Sequence, residues 1–583
     1  MSSTPASHFA LGCLLGGVIF FLLYGFAPLD VTNVNWLTHS VDNEGLWDLT
    51  QHYLGWVYFR NSPWHFPFGL LDHLYSSPIS IVYTDSIPLF AIIFKALSPI
   101  LPETFQYFGL FGLICYMFMG GFGALIVRKF SSSCFISAIA AILFCISPVL
   151  TKRMFYHTAL SAHFLILMAF CLWLYHDTFS IKKCCFFWCL LLSGSTLINP
   201  YYAPMVLGIY LCFCLQKLLE AKKKKKVLFY IAGFTFIICA VMNLVSYFVG
   251  FFYGHISAST GGLERLSFNL TQLFNPMNYL CDVTDYQYTF TPQSYSTFLP
   301  NLPLASGWQE EGFSYLGLGV ILLLVLCLIN CIYRKLTSNT PGIFNLSQKI
   351  AIWVCGVVFT FLALSPTITF GSKTLCQISY PKYIYYMLSI FRSCGRFIWP
   401  VYYGLLSLLL ISCAHLYNKF KSKKILVVLL FCTLLQMVDL WPSFTYKYEA
   451  YHKELTEYSL ELKDSAWKIL GENATQIMFY PPTEFGIECD PHTSCVFETY
   501  ALDYDLSLNI SYLSRDMSSV ADRKTLSHFK TRKEGASYPE IIYIFFDFSD
   551  IPDSAQSHLN YYLIDGYIVG TELTLQNCEV YTP

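Results

Sequence analysis

The sequence predicts a polytopic α-helical membrane domain with about eleven spans, followed by a smaller α/β domain outside the membrane. Three observations predict it. The 583 residues are 55% hydrophobic and 18% aromatic but only 13% charged, where an ordinary soluble chain is about a quarter charged. Apolar stretches approaching the ~20 residues that a bilayer requires recur along most of the chain. After Leu440 the composition returns to that of a soluble protein.

The spans are expected at Phe9–Leu29, Phe105–Val127, Cys134–Leu150, Thr158–Tyr175, Cys184–Ile198 and Tyr202–Leu219, then at Val227–Phe252, Phe313–Ile332, Ile350–Leu364, Phe397–Leu416 and Ile425–Leu440. The first lacks a basic leader and a small-residue cleavage site, so it reads as a retained helix. Basic clusters fall in alternate loops: Arg128-Lys129, Lys182-Lys183, Lys222–Lys226, Arg334-Lys335 with Lys349, and Lys419 to Lys424. The positive-inside rule then places the N-terminus in the cytoplasm and the C-terminus outside, across a cytoplasmic (inner) membrane.

Residues 1–440 thus form the membrane domain, with a long first outside loop over residues 30–104. In that loop Ser86–Ser98, apolar and interrupted by Pro88, reads as an interfacial helix. Residues 441–583 form the outside domain. A polar helical run, His452–Leu470, precedes strand-like Gln476–Tyr480, Ile541–Phe546 and Tyr567–Val569, a pattern of α/β type.

A net charge of −1 gives no support for nucleic-acid binding. Most of the 22 cysteines lie in apolar runs, where cysteine acts as a small hydrophobe. Cys489 and Cys495 differ. They lie in a polar segment outside the membrane and are expected to form a disulfide. No HExxH, CxxC pair, Walker loop or GxSxG elbow is present, and the histidines lack metal-ligand spacing. No metal or other cofactor is expected.

The first outside loop is rich in acids: Asp30, Asp42, Glu44, Asp48, Asp72 and Asp85. Read as a helix, the stretch around Trp47–Trp56 places Glu44, Asp48, Gln51 and His52 on one face. Transfer of a sugar from a lipid phosphate has a good leaving group. It needs a carboxylate to take the acceptor's proton and cations to receive the phosphate charge. Asp48 is the expected base, with Gln51 and His52 to orient it or the acceptor. The structural alternative is that Asp48 caps a helix or pairs with Arg60.

Arg392 and Arg396 stand four apart before a span, and on a helix would form a two-pronged phosphate site. Arg153 and His157 repeat the spacing. Snorkelling of long basic side chains is the alternative for these residues. Glu310 and Glu311 sit just before another span, as substrate-site candidates or as a polar loop end.

With one N-terminal span, a large acidic outside loop, many further spans and an outside C-terminal domain, the chain resembles the GT-C glycosyltransferase superfamily. It is more closely similar to a bacterial family of multi-spanning membrane proteins placed near that superfamily. The matching stretches are Asp48-Leu-Thr-Gln-His-Tyr-Leu-Gly-Trp56 with Phe59-Arg60, Ile81-Val-Tyr-Thr-Asp85-Ser, Glu311-Gly-Phe-Ser-Tyr-Leu-Gly317 and Phe391-Arg-Ser-Cys-Gly-Arg396-Phe-Ile-Trp-Pro400. The resemblance implies a polyprenyl-phosphate-linked sugar donor, an acidic base in the first loop, and a glycan, lipid or protein acceptor. Many GT-C enzymes carry paired acids there. The nearest equivalent here is Asp42-Asn43-Glu44, so those two acids compete with Asp48 for the role. Two other functions stay open: a transporter or flippase of lipid-linked glycan, and a non-catalytic membrane binding or assembly protein on the same fold.

Overall fold

A computed structural model describes residues 4–38, 48–75, 77–253, 262–284, 287–337, 342–453, 460–481, 491–515, 525, 527–528, 537–552, 558–576 and 578–581. Among these, eight helices are long and apolar enough to cross a membrane, or nine if one bent pair counts as a span. They fit a multi-pass membrane protein. The expected count of about eleven also drew on three shorter apolar helices: Cys134–Cys145, Phe164–Leu174 and Lys423–Asp439. The first is stopped before Ser147-Pro148, since proline restricts the residue before it. Phe164–Leu174 is preceded by the tighter 3₁₀ turn Thr158–Ser161. The third bends by 55° into Trp441–His452, which begins with a Trp-Pro pair.

The bundle is organised around Pro5–Tyr24 packed antiparallel on Phe108–Arg128. A Cβ on Gly12 would lie 2.2 Å from the Gly120 carbonyl oxygen, and one on Gly16 2.1 Å from that of Tyr116. Glycine is required at both positions. Without a strong hydrophobic drive between helices in lipid, such close backbone approach supplies the packing.

The first loop closes one end of this bundle. Helix Asp48–Asn61 carries the Asp48, Gln51 and His52 face expected of it, but that face is enclosed. Asp48, Leu49, Thr50, Gln51, His52, Leu54, Gly55, Trp56, Tyr58 and Phe59 are all buried, because the C-terminal domain lies over it. Gly55 lets the helix approach Thr84, whose Cβ would be 2.4 Å from an added methyl. The interfacial stretch forms helix Pro88–Leu97, with Pro88 in its first turn rather than interrupting it.

The C-terminal domain is a six-stranded sheet. Its strand order is Glu579–Tyr581, Asn560–Ile564, Tyr567–Thr571, Ile541–Phe545, Gln476–Tyr480 and Ser507–Leu508. Strand Gln476–Tyr480 runs parallel to both its neighbours, and the other pairings are antiparallel. Asp565-Gly566, both at positive φ, make the two-residue turn between Ile564 and Tyr567. The Asp565 carboxylate also accepts from the backbone N–H groups of Lys463 and Asp464 and from Trp467 Nε1. That turn therefore fixes the start of helix Ser465–Asn473. The expected continuous helix over His452–Leu470 is broken: one helix ends at His452, and among the described residues the next begins at Ser465, where Asp464 caps it. Cys495 is buried within helix Pro491–Asp503 rather than in a polar turn. The expected bridge lies outside the described residues at Cys489.

Main-chain bonds join the domain to the first loop. Leu508 N donates to His73 O at 2.7 Å and Ser514 N to Tyr83 O at 2.9 Å. Tyr58 Oη donates to Glu498 O at 2.8 Å.

Replacing Gly12 with Ala should lower the unfolding temperature of the detergent-solubilised protein, since overpacking typically costs about 1–3 kcal/mol. Gly194→Ala, where a Cβ meets nothing within 4 Å, should be neutral or stabilising. Equal effects at the two positions would remove the glycine contact as the reason for this packing.

Candidate functional site

Of the sequence-selected residues, Asp48, Arg153, His157, Glu310, Glu311 and Arg396 converge on one buried polar network, where the first loop, the bundle end and the C-terminal domain meet. Its centre is Glu311. Arg396 grips it in bidentate fashion, Nε to Oε2 at 2.7 Å and Nη2 to Oε1 at 2.6 Å. Arg153 Nη2 donates to Oε2 at 2.5 Å. Burial would push the Glu311 carboxyl up, but the two arginines outweigh it and hold it well below the usual range.

Two glycines make this possible. A Cβ on Gly312 would lie 2.6 Å from Phe268 Cα, and one on Gly395 2.8 Å from Gly312 Cα. The Glu311-Gly312 turn and the Gly395-Arg396 turn can therefore nest against each other.

Lys152 and Glu310 form a neighbouring buried pair at 2.8 Å. Lys152 also donates to Asn278 Oδ1 at 2.5 Å and to Glu310 O at 2.9 Å. Burial lowers the Lys152 ammonium to about 8, although Glu310 works to raise it.

Asp48 joins the network through His157, whose Nε2 lies 2.9 Å from Asp48 Oδ2. Arg153 Nη1 is 3.4 Å from His157 Nδ1. Arginine can only donate, so Nδ1 accepts and Nε2 carries the proton toward Asp48. The Tyr512 hydroxyl, from the C-terminal domain, donates to Asp48 Oδ1. Gln51 Nε2 donates to the Tyr512 carbonyl at 2.9 Å, so Gln51 positions Tyr512. Burial pushes the Asp48 carboxyl up, but His157, then His52, then the Tyr512 hydroxyl together hold it below the usual range. His52 is buried with Nδ1 unpartnered, and burial lowers its imidazole despite the pull of Asp85 and Asp48. Asp85, in a left-handed turn, accepts from Asn199 Nδ2 at 3.1 Å.

Several expectations change. Phe391–Phe397 is not a regular helix: Lys382–Ser389 ends before it, and a 3₁₀ turn spans Cys394–Ile398. Arg392 is exposed and Arg396 buried, so the two do not form one two-pronged site. Arg153 and Arg396 are engaged by Glu311 rather than open to a ligand. Helix Pro148–Arg153 stops before His157, and the Arg153–His157 contact is made by a turn. Arg60 stands apart, donating to the carbonyls of Glu103 and Pro102 at 2.6 and 2.7 Å, so it does not pair with Asp48. Asp42 and Glu44 lie outside the described residues. Among the described residues no three of His, Cys, Asp and Glu gather as metal ligands.

The sequence passed over Tyr512, Glu498 and Arg515, which the C-terminal fold brings here. Glu498 is buried. Its Oε1 accepts from Ser494 and Ser511 at 2.8 and 2.6 Å and from the Tyr512 amide at 3.3 Å. Its Oε2 is unpartnered. Burial raises this carboxyl to about 7, although those three donors work against the rise.

The bundle and the first loop together match one family along residues 13–441, described as a domain of unknown function (DUF6311). The chain belongs to the DUF6311 family. The DUF6311 C-terminal domain matches residues 466–572. Asp48, Arg153, His157, Glu311 and Arg396 fall in the first region, and Glu498, Tyr512 and Arg515 in the second. The site of this DUF6311 protein is therefore shared between the two matched regions. No curated protein matches the chain.

Glu311→Gln should destabilise the protein by about 3–5 kcal/mol, because it leaves two buried guanidinium groups without their carboxylate. Thermal unfolding in detergent reads the loss, and an unchanged midpoint would show that the triad is not structural. A second test uses pH. A carboxyl raised from 4.5 to about 7 favours the protonated form in the folded state. Its stabilisation is complete below pH 4.5 and is lost as pH rises through 7, a change of about 3 kcal/mol. Hydrogen exchange of helix Pro491–Asp503 should accelerate between pH 5.5 and 8 beyond the intrinsic pH effect. Glu498→Gln should abolish that excess. An excess that survives the substitution would assign it to another group.

Proposed function

We propose that this protein is an integral-membrane glycosyltransferase. It moves a sugar from a polyprenyl-phosphate-linked donor to an acceptor on the extracytoplasmic side, with about eleven spans and a cytoplasmic N-terminus. The observation that carries the reading is Asp48: a carboxylate favoured in its ionised form, enclosed at the bundle end and oriented by a histidine whose other nitrogen faces Arg153. That arrangement suits a general base.

In the proposed step the acceptor hydroxyl gives its proton to Asp48 as its oxygen bonds to the anomeric carbon. The bond from that carbon to the phosphate oxygen breaks, and the phosphate leaves with the electron pair. The Tyr512 hydroxyl occupies the hydrogen-bonding position that the acceptor hydroxyl would take. Displacing it removes a donor from Asp48 and strengthens the base.

A second reading has one observation in its favour. Both Asp48 oxygens are already engaged, as they would be in a non-catalytic glycolipid-binding protein. Asp48→Asn decides between the readings. The change is nearly isosteric, so folding and donor binding should persist while transfer falls about 10²- to 10⁴-fold. Full loss through Asp42→Asn or Glu44→Gln, with Asp48→Asn active, would move the base within the first loop. If none of these acids affects transfer of any lipid-linked sugar, the enzyme reading gives way to binding or transport.

A further inference from the structure

Since Glu311 engages Arg153 and Arg396, the question is which cations remain to receive an anion near Asp48. Arg392 is exposed, and among the described residues no carboxylate forms an ion pair with it. Arg515 comes from the C-terminal domain. Its Nη2 donates to the Ile390 carbonyl, two residues before Arg392. A chain advances at most ~3.6 Å per residue, so the two arginines share one small region.

Neighbouring bonds hold this region. Ser514 N binds Tyr83 O at 2.9 Å, and Ser393 N donates to Tyr201 Oη at 2.9 Å. Arg515 Nη1 is buried without a hydrogen-bond partner. Asp85 is the nearby acid, and its Oδ1 is bonded to Asn199.

A buried guanidinium N–H lacking an acceptor calls for an ordered water or an anion. A second arginine beside it selects the anion. Two arginines match the several oxygens of a phosphoryl group better than a single-point ligand does.

We infer that Arg392 and Arg515 form a phosphoryl-binding site, completed by the C-terminal domain and opening on the side of Arg392. Its ligand is the phosphate of a lipid-linked donor or a free phosphate. The assignment to a donor rests on the glycosyltransferase reading, and the anion site itself does not. The same segment, Ser511–Arg515, carries Tyr512 on Asp48. Binding at Arg515 thus bears directly on access to the carboxylate. Burial foremost, with Arg392 adding to it, lowers the Arg515 guanidinium from its ordinary range, a strain that a bound anion relieves.

The test is direct binding to the full-length protein in detergent, with polyprenyl monophosphate, inorganic pyrophosphate and phosphatidylglycerol as separate probes. Arg392→Gln and Arg515→Gln should each weaken phosphoryl binding about tenfold or more. Arg515→Lys should recover only part of the loss, because lysine lacks the fork. Arg392→Gln keeps the result interpretable if the Arg515 variants loosen the domain. Arginine-dependent binding of polyprenyl phosphate alone assigns the site to a lipid-carried phosphate. Equal arginine-dependent binding of pyrophosphate assigns it to a soluble one. Wild-type affinity in both Gln variants, or no phosphoryl binding by the wild type, overturns the inference. Asp48→Asn separates this inference from the enzyme reading. Arginine-dependent binding without any transfer by the wild type keeps the site and rejects the enzyme. Transfer that needs Asp48 but neither arginine does the reverse.

Discussion

Glu311 takes hydrogen bonds from two arginines at once, and the bundle end is built around that fact. A buried guanidinium alone is costly, and so is a buried carboxylate. Together they hold the turn before one span, the end of a short helix and the entry to another span in fixed relation. Arg153 then reaches His157, and His157 reaches Asp48. The orientation of the candidate base thus follows from an ion cluster three links away.

Such a cluster is a specificity device more than a source of stability. Its burial is secured by backbone approach. Gly312 and Gly395 allow the two charged turns to nest, and Gly12, Gly16 and Gly120 allow the first two long helices to touch. At the far side of the site, Asp439 has a comparable anchoring role. Tyr315 Oη and Leu318 N donate to its Oδ2 at 2.6 and 2.8 Å, and Ser296 donates to its other oxygen. These bonds hold the bend where the membrane bundle hands over to the C-terminal domain.

The C-terminal domain works as a cover with two polar probes. Tyr512 touches Asp48, and Arg515 reaches the loop before the last long span. Glu498 lies under the same segment, bonded to the Tyr512 amide and to Ser511. The protonation of one buried carboxyl is therefore mechanically linked to the side chain on the candidate base.

The sequence by itself determined the helical membrane class, the strand Gln476–Tyr480, the strand expected at Ile541–Phe546 and found at Ile541–Phe545, and the choice of Asp48, His52, Arg153, His157, Glu310, Glu311 and Arg396 as residues to watch. Hydrophobic length, β-rich runs and charges beside apolar spans are local signals, and local signals survive in a one-dimensional reading. Tertiary structure alone decided what those residues do to one another. Arginines four apart suggested a shared helical face, but Arg392 lies exposed in irregular chain and Arg396 is buried in the 3₁₀ turn Cys394–Ile398 that follows. Glu311 looked like a loop end and is the centre of an ion cluster. Tyr512, Glu498 and Arg515 carried no signal, because no motif or apolar-span boundary marks them in the sequence. Tyr512 and Arg515 matter through pairings more than a hundred residues apart, Tyr512 with Asp48 and Arg515 with Ile390, and Glu498 through its bond to the Tyr512 amide. No periodicity records contacts of that kind: they exist only once two domains pack and water is excluded between them.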